Sequence, residues 1–253
     1  MNQLATNRLI TIAVSHYCEK VRWALEWLKI PYVEECHVPI FHRLTTRRYG
    51  GKSVPILITP TGVFKDSTDI LHHLDATSQA PQHLYPIDPN QRQEVEQLEE
   101  LFDSKLGVHI RLWGYQYRGL DNREAMREMW CEDAPRFEKI GFEFAFPLMS
   151  RIVQRVYKVS AANAASSLQE IKQIFALVAE RLTDDKHGYL VGDSFSAADL
   201  TFAALAAPIL RPKNHRATKF LRREIAPQMA EVVLELRQTK AGKYALRQYR
   251  EHR

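Results

Sequence analysis

Gly51-Lys52-Ser53-Val54-Pro55-Ile56-Leu57-Ile58-Thr59-Pro60-Thr61-Gly62-Val63-Phe64-Lys65-Asp66-Ser67 is the stretch on which the fold turns. Its centre, Pro60-Thr61-Gly62, makes a strong turn, because proline presets φ and glycine tolerates positive φ. The runs on either side, Ile56 to Thr59 and Val63 to Lys65, therefore read as the two strands of a hairpin. Pro55 stands directly before the first strand, where proline is a poor ladder residue unless its peptide bond is special.

Working outward, the residues on both sides alternate between strand and helix. Leu9 to Val14 is rich in β-branched residues and fits a short buried strand. Val21, Ala24, Leu25 and Leu28 recur at i, i+3, i+4 and i+7, the apolar stripe of a helix that Pro31 stops. Tyr32 to Val38 reads as a second strand, and Arg43 to Tyr49 as a helix closed by Gly50-Gly51. Beyond the hairpin, Ile70, Leu71 and Leu74 share one face of a helix over Thr68 to Asp75. The order β-α-β-α-β-β-α predicts an α/β module over residues 1–80.

Pro81, Pro86 and Pro89 with polar neighbours then predict an extended linker over 81–90. From 91 to 253 the pattern is helical throughout. Ser167-Leu168-Gln169-Glu170 has the spacing of a capping box in front of Ile171, Ile174, Phe175, Val178 and Leu182. In Phe195-Ser196-Ala197-Ala198-Asp199-Leu200, Ser196 and Asp199 form a second capping box, flanked by Phe195 and Leu200 as a hydrophobic staple. That helix is expected to run to about Ala207, before Pro208.

The chain has 253 residues, with hydrophobic and charged content of 45% and 26%, the balance of a packed globular protein. No stretch approaches the roughly 20 apolar residues that span a bilayer. The first eight residues lack the apolar core of a secretory signal. Three widely spaced cysteines (Cys18, Cys36, Cys131) suit a reducing compartment and have no zinc-ligand spacing. A cytoplasmic protein without a metal is expected. Residues 211–253 hold twelve Lys/Arg against four Asp/Glu, a surplus of eight, so with a net charge of +5 the preceding 210 residues sum to −3. Solvated helix faces are the first reading of such a surplus and a phosphate- or membrane-binding surface the second, and no nucleic-acid motif accompanies it.

Ser15-His16-Tyr17-Cys18 follows the first strand and opens the first helix. There, free N–H groups and the helix dipole favour negative charge, and a thiolate above all. Serine in place of a first cysteine cannot run a dithiol cycle, but its hydroxyl can donate a hydrogen bond to the sulfur of a bound thiol. A free thiol with pKa about 8.5 is only a few per cent ionised at pH 7; lowering it by two units takes roughly 2.7 kcal/mol of preferential anion stabilisation. A hydroxyl and a helix N-terminus are adequate to that. The residues alone equally fit Ser15 as an N-cap and Cys18 as a small buried residue.

Ser15, the helix Lys20-Val21-Arg22-Trp23-Ala24-Leu25, the run Gly51 to Leu57 and the run Phe64 to Leu71 together resemble the glutathione transferase family. The resemblance continues through Leu84-Tyr85-Pro86 to Gly192–Leu200. It implies a thioredoxin-like N-terminal domain that binds glutathione as co-substrate, and an all-helical domain carrying the second-substrate pocket. It implies a cis Val54-Pro55, with the Val54 N–H and C=O pairing the ligand like an added strand. Asp66-Ser67 would hold the γ-glutamyl end, Lys52 the glycyl carboxylate, and Tyr17 would contact ligand or pack. Ser15 stands first as catalytic group and Cys18 second. Within the aromatic segment Gly107–Tyr117, Arg111 and Tyr115 are candidates for lining the second pocket.

The activity implied is conjugation of glutathione to an apolar electrophile in detoxification, by a cytoplasmic homodimer with no nucleic-acid or membrane partner. Two alternatives stand beside it: a glutathione-dependent thiol transferase or reductase using Cys18, and a non-catalytic ligand-binding or scaffold protein of the same fold.

Overall fold

The computed structural model describes residues 7–182, 188–215 and 225–253. Two compact units emerge: Met1–Gln82 with Asp121–Ile152, and His83–Leu120 with Val153–Arg253. The first therefore gathers a helical segment that follows the second unit's opening helices in the chain.

In the first unit, β1 (Asn7–Thr11), β2 (Tyr32–Cys36), β3 (Ile56–Thr59) and β4 (Gly62–Phe64) form one sheet in the order β2-β1-β3-β4. β1 runs parallel to β2, and the hairpin expected at Pro60-Thr61-Gly62 pairs β3 with β4 antiparallel, Thr59 opposite Gly62. β3 lies antiparallel to β1, with Ile10 opposite Ile56. Leu9, Ile10, Ile56 and Leu57 are buried in the sheet, and α1 (His16–Trp27) and α3 (Ser67–Thr77) pack against each other, with Val21, Leu25, Ile70 and Leu71 buried on them. The short helix α2 (His42–Arg48) connects β2 to β3. Element order and type follow the sequence reading, with strand ends and the ends of α2 and α3 displaced by at most three residues.

The second segment of this unit contributes α6 (Arg123–Trp130) and α7 (Arg136–Val156). One face of α7 is core: Phe142 lies under Trp130 in an edge-on contact of 6.3 Å and against Phe146 at 5.3 Å. Gly141 permits a close approach, because a Cβ there would stand 2.7 Å from the ring of Phe41, which would have to shift. Nothing in the local sequence announces this docking.

In the second unit, α4 (Pro89–Leu101) continues through a π-helical turn (Phe102–Leu106) into α5 (Gly107–Arg118). The helices α8 (Ala161–Arg181), α9 (Ala197–Leu210), α10 (Pro227–Gln238) and α11 (Lys240–Glu251) complete it. Every residue of α9 is buried, with Phe202 packed against Phe102 at 5.2 Å and Phe175 at 5.4 Å.

Three sequence expectations need correction. The capping box proposed at Ser167 does not start a helix: α8 begins at Ala161, where Ser160 accepts from the Asn163 N–H at 3.2 Å. Ala161-Ala162-Asn163-Ala164-Ala165 is a strong helix-forming run, so the helix starts earlier, and Ser167 is buried mid-helix with its hydroxyl 3.1 Å from His109 Nδ1. The capping box at Ser196 and Asp199 is present, but α9 runs through Pro208 to Leu210. A proline one turn from the C-terminus removes only one backbone donor, and Arg118 donates to the Pro208 carbonyl at 2.7 Å. The 81–90 stretch also ends early, because Asp88 caps α4 with Pro89 in its first turn.

Three of the eight described Lys and Arg residues of the C-terminal basic segment hold backbone carbonyls of other elements. Arg237 donates to the carbonyls of Leu210 and Arg211 at the end of α9, Lys240 to Leu182 and Arg247 to Gly188. Cations at helix C-termini satisfy orphan carbonyls and the dipole together. Arg216, Lys219, Arg222 and Arg223 lie outside the described residues.

Candidate functional site

Strand register alone brings three loops to one end of the sheet. β1 ends at Thr11 and leads to Ser15. Because Ile10 faces Ile56, the Val54-Pro55 peptide that precedes β3 lies beside that exit. Because Leu57 faces Phe64, the chain leaving β4 passes the same end as Lys65-Asp66-Ser67. A hydrogen bond from Lys20 Nζ to Thr68 Oγ1, 3.4 Å, ties α1 to the start of α3 there.

Ser15 is the N-cap of α1. Its Oγ accepts the Cys18 N–H at 3.4 Å, a long bond, and the residue is half-buried. Tyr17 is half-buried, its ring 4.7 Å from that of His16. Cys18 is fully buried, with no exposed surface. Burial pushes its thiol up, and the Arg22 charge and the Ser15 hydroxyl offset this only in part. A buried, protonated thiol is a poor nucleophile.

The Val54-Pro55 peptide is cis, as the resemblance implied. Among the described residues, neither the N–H nor the C=O of Val54 has a backbone partner. Asp66 is exposed and caps α3, accepting the Thr68 N–H at 2.9 Å, while Ser67 is buried at the first helical position. Lys52 is exposed in the loop before Val54. Arg111 and Tyr115 belong to the second unit, where both surround Tyr157. The Arg111 guanidinium stands 5.1 Å from the Tyr157 ring centre and NH1 3.4 Å from its hydroxyl; the Tyr115 ring lies at 5.6 Å.

Sequence reading missed the charged layer beneath Ser15. Arg22, fully buried, donates from Nε to Glu34 Oε1 at 2.8 Å and from NH2 to the Ile12 carbonyl at 3.2 Å. That carbonyl also accepts the Ser15 N–H at 3.0 Å, so the guanidinium braces the turn that presents Ser15. Glu34 further accepts from Thr11 Oγ1 at 2.5 Å and from Cys36 Sγ at 3.3 Å. A charge in an apolar stripe, Arg22 one residue after Val21, was the available signal. A separate cleft of about 510 Å³, lined in part by Asn7, Lys29, Thr59, His73 and Thr77, opens at the opposite end of the sheet.

Comparison with known proteins bears on this arrangement. The pattern of the glutathione S-transferase N-terminal domain matches residues 9–82, and that of the glutathione S-transferase C-terminal domain matches residues 138–223. The chain belongs to the glutathione S-transferase family. Its thioredoxin-like sheet and following helices are the fold of that family. No curated protein sequence matches the chain. Among solved structures, a glutathione S-transferase from Methylobacterium radiotolerans in complex with glutathione sulfonate shares 20% identity over 95% of this chain and 94% of that one, with a TM-score of 0.56. The β-etherase LigF from Sphingobium sp. strain SYK-6 shares 18% over 96% and 99%, with a TM-score of 0.59. A theta class glutathione S-transferase from Xanthomonas axonopodis pv. citri, with glutathione bound, shares 17% over 96% and 97%, with a TM-score of 0.56. At such identities the likeness speaks to fold alone. Among the described residues, no helix is long and apolar enough to cross a membrane, and no group of three His, Cys, Asp or Glu could hold a metal.

Proposed function

We propose that this family member is a glutathione transferase in which Ser15 activates the bound thiol. The observation that carries the reading is the pairing of a half-buried Ser15 hydroxyl at the α1 N-terminus with a fully buried Cys18 three residues on. Glutathione would lie along Val54, whose N–H and C=O are open to a peptide partner. Its γ-glutamyl carboxylate would meet Ser67 and the N–H groups of α3, its ammonium Asp66, and its glycyl carboxylate Lys52.

In this reading the Ser15 hydroxyl donates to the glutathione sulfur and the helix N-terminus favours its anion. The thiolate attacks an electrophilic carbon, a C–S bond forms and the leaving group departs. Arg111 and Tyr115 are proposed for the pocket of an apolar acceptor, in a homodimeric cytoplasmic protein acting in detoxification. Residues 1–80 are proposed as the glutathione-binding domain, and 91–253 as the helical one.

Parallel assays test this: conjugation of a generic aromatic electrophile and reduction of a mixed glutathione disulfide, in wild type, Ser15→Ala and Cys18→Ser. Loss of conjugation with Ser15→Ala alone is expected. Disulfide reduction lost with Cys18→Ser would replace the reading by thiol transfer, against which the burial of Cys18 argues. Absence of glutathione binding would leave a scaffold.

A further inference from the structure

Lys20 lies on α1, five residues after Ser15, and its side chain has no exposed surface. Lysine is rarely enclosed in this way. Taking an ammonium out of water is costly, and an apolar side chain of similar length fills the same space without that cost. Nor does the local field favour it. Its Nζ reaches α3 and stands 3.4 Å from Oγ1 of Thr68, in the first turn of that helix. A helix N-terminus carries partial positive charge, so a cation belongs at the other end. A buried cation and a helix N-terminus, each of which favours an anion, thus converge on the turn that holds Ser67.

We propose that Lys20 is a specificity residue for the thiol substrate: its ammonium, acting through Thr68, selects a peptide that carries the α-carboxylate of a γ-glutamyl residue. The inference rests on the glutathione reading above and adds to it a residue of α1.

The hydroxyl of Thr68 carries the contact. An ammonium only donates, so Thr68 Oγ1 is the acceptor. A hydroxyl that accepts from a cation is a stronger donor of its own proton, and Thr68 is half-buried, at the border between Lys20 and solvent. The Thr68 N–H is taken by Asp66 Oδ1 at 2.9 Å, so the side chain is what this residue offers a ligand. The buried acids of α1 and β2, Glu19 and Glu34, face Arg22 at 3.5 and 2.8 Å, and the acids of the α3 turn, Asp66 and Asp69, are exposed. A γ-glutamyl carboxylate at Ser67 brings negative charge to the enclosed side of that turn, where Lys20 lies.

Calorimetric titration tests the assignment in wild type, Lys20→Met and Thr68→Val. The two probes are glutathione and 4-aminobutyryl-cysteinylglycine, the same peptide with that carboxylate replaced by hydrogen. Wild type should bind glutathione the more tightly. Lys20→Met, whose unbranched side chain keeps the packing, should weaken glutathione about tenfold or more and leave the analogue within about twofold. Its urea midpoint should equal or exceed that of wild type, because a buried charge has gone. Thr68→Val should show the same selective loss to a smaller degree, and it decides the matter alone if Lys20→Met does not fold. Weakening of both peptides equally, or of neither, overturns the proposal and leaves the glutathione reading standing. Glutathione binding absent from wild type removes that reading and this one together.

Discussion

Nδ1 of His37, at the end of β2, lies 2.6 Å from Oε1 of Glu138 on α7, a residue 101 positions later in the chain. Oε2 of the same carboxylate accepts the Val38 N–H at 2.7 Å, and His37 Nε2 stands 3.1 Å from Glu35. One buried glutamate thus fastens α7 to the sheet through a side chain and the backbone.

This contact makes stability depend on pH. Burial opposes charge on His37, but the hydrogen bond and charge of Glu138, with Glu35, outweigh it and hold the imidazole above its ordinary 6.5. Neighbouring His42 is pulled down to about 4, chiefly by burial, and stays neutral. A raised pKa gives stability that is fully present below 6.5 and is lost as pH rises through the folded value. Histidines held low by burial, His42, His73, His109 and His252, act in the opposite sense in wild type and variant alike, so the contact is read from the difference between the two proteins. Glu138→Gln, which keeps the Val38 acceptor, should lower the urea midpoint by the equivalent of about 1–3 kcal/mol at pH 6 and by less at pH 8.5. An unchanged pH difference in the variant would show that other groups carry it.

Ser15→Ala separates capping from catalysis. The capping bond is long, so its loss should cost at the low end of the usual range, about 0.5 kcal/mol. Loss of a hydrogen bond to a bound thiolate should lower conjugation by roughly 10–100-fold, equivalent to about 1.5–3 kcal/mol. Thermal melts and kcat/KM on one preparation check both. Equal losses of stability and activity would reduce Ser15 to a cap.

Thiol accessibility gives a second readout. Cys18, Cys36 and Cys131 are free and buried, and burial is the leading cause that raises each thiol pKa, that of Cys131 to about 11. A chromogenic disulfide should find almost no reactive thiol in the native protein and all three after denaturation. Rapid native labelling of Cys18 would revive it as a nucleophile.

Asp199 anchors the second unit. Its carboxylate accepts the N–H of Ser196 at 2.7 Å and of Leu190 at 2.8 Å, and the Tyr244 hydroxyl. Burial still pushes its pKa up against those three contacts. Asp199→Ala should cost about 3–5 kcal/mol, because it strands several buried donors at once. A shift in the urea midpoint equivalent to less than about 1 kcal/mol would show that water replaces the carboxylate.

The sequence by itself determined what depends on neighbours a few residues apart. Pro60-Thr61-Gly62 specified the hairpin, the 3.6-residue stripe specified α1, and Ser196 with Asp199 specified the start of α9, because turn geometry and capping are satisfied within one turn of chain. Local rules failed where two competed, as at Ser160 and Ser167, and the alanine run decided between them. Only tertiary structure decided that Cys18 is shut away from solvent, that Arg22 is buried beneath Ser15, and that Glu138 binds His37. Desolvation and charge pairing depend on what packs against a residue from elsewhere in the chain, and no local pattern records that.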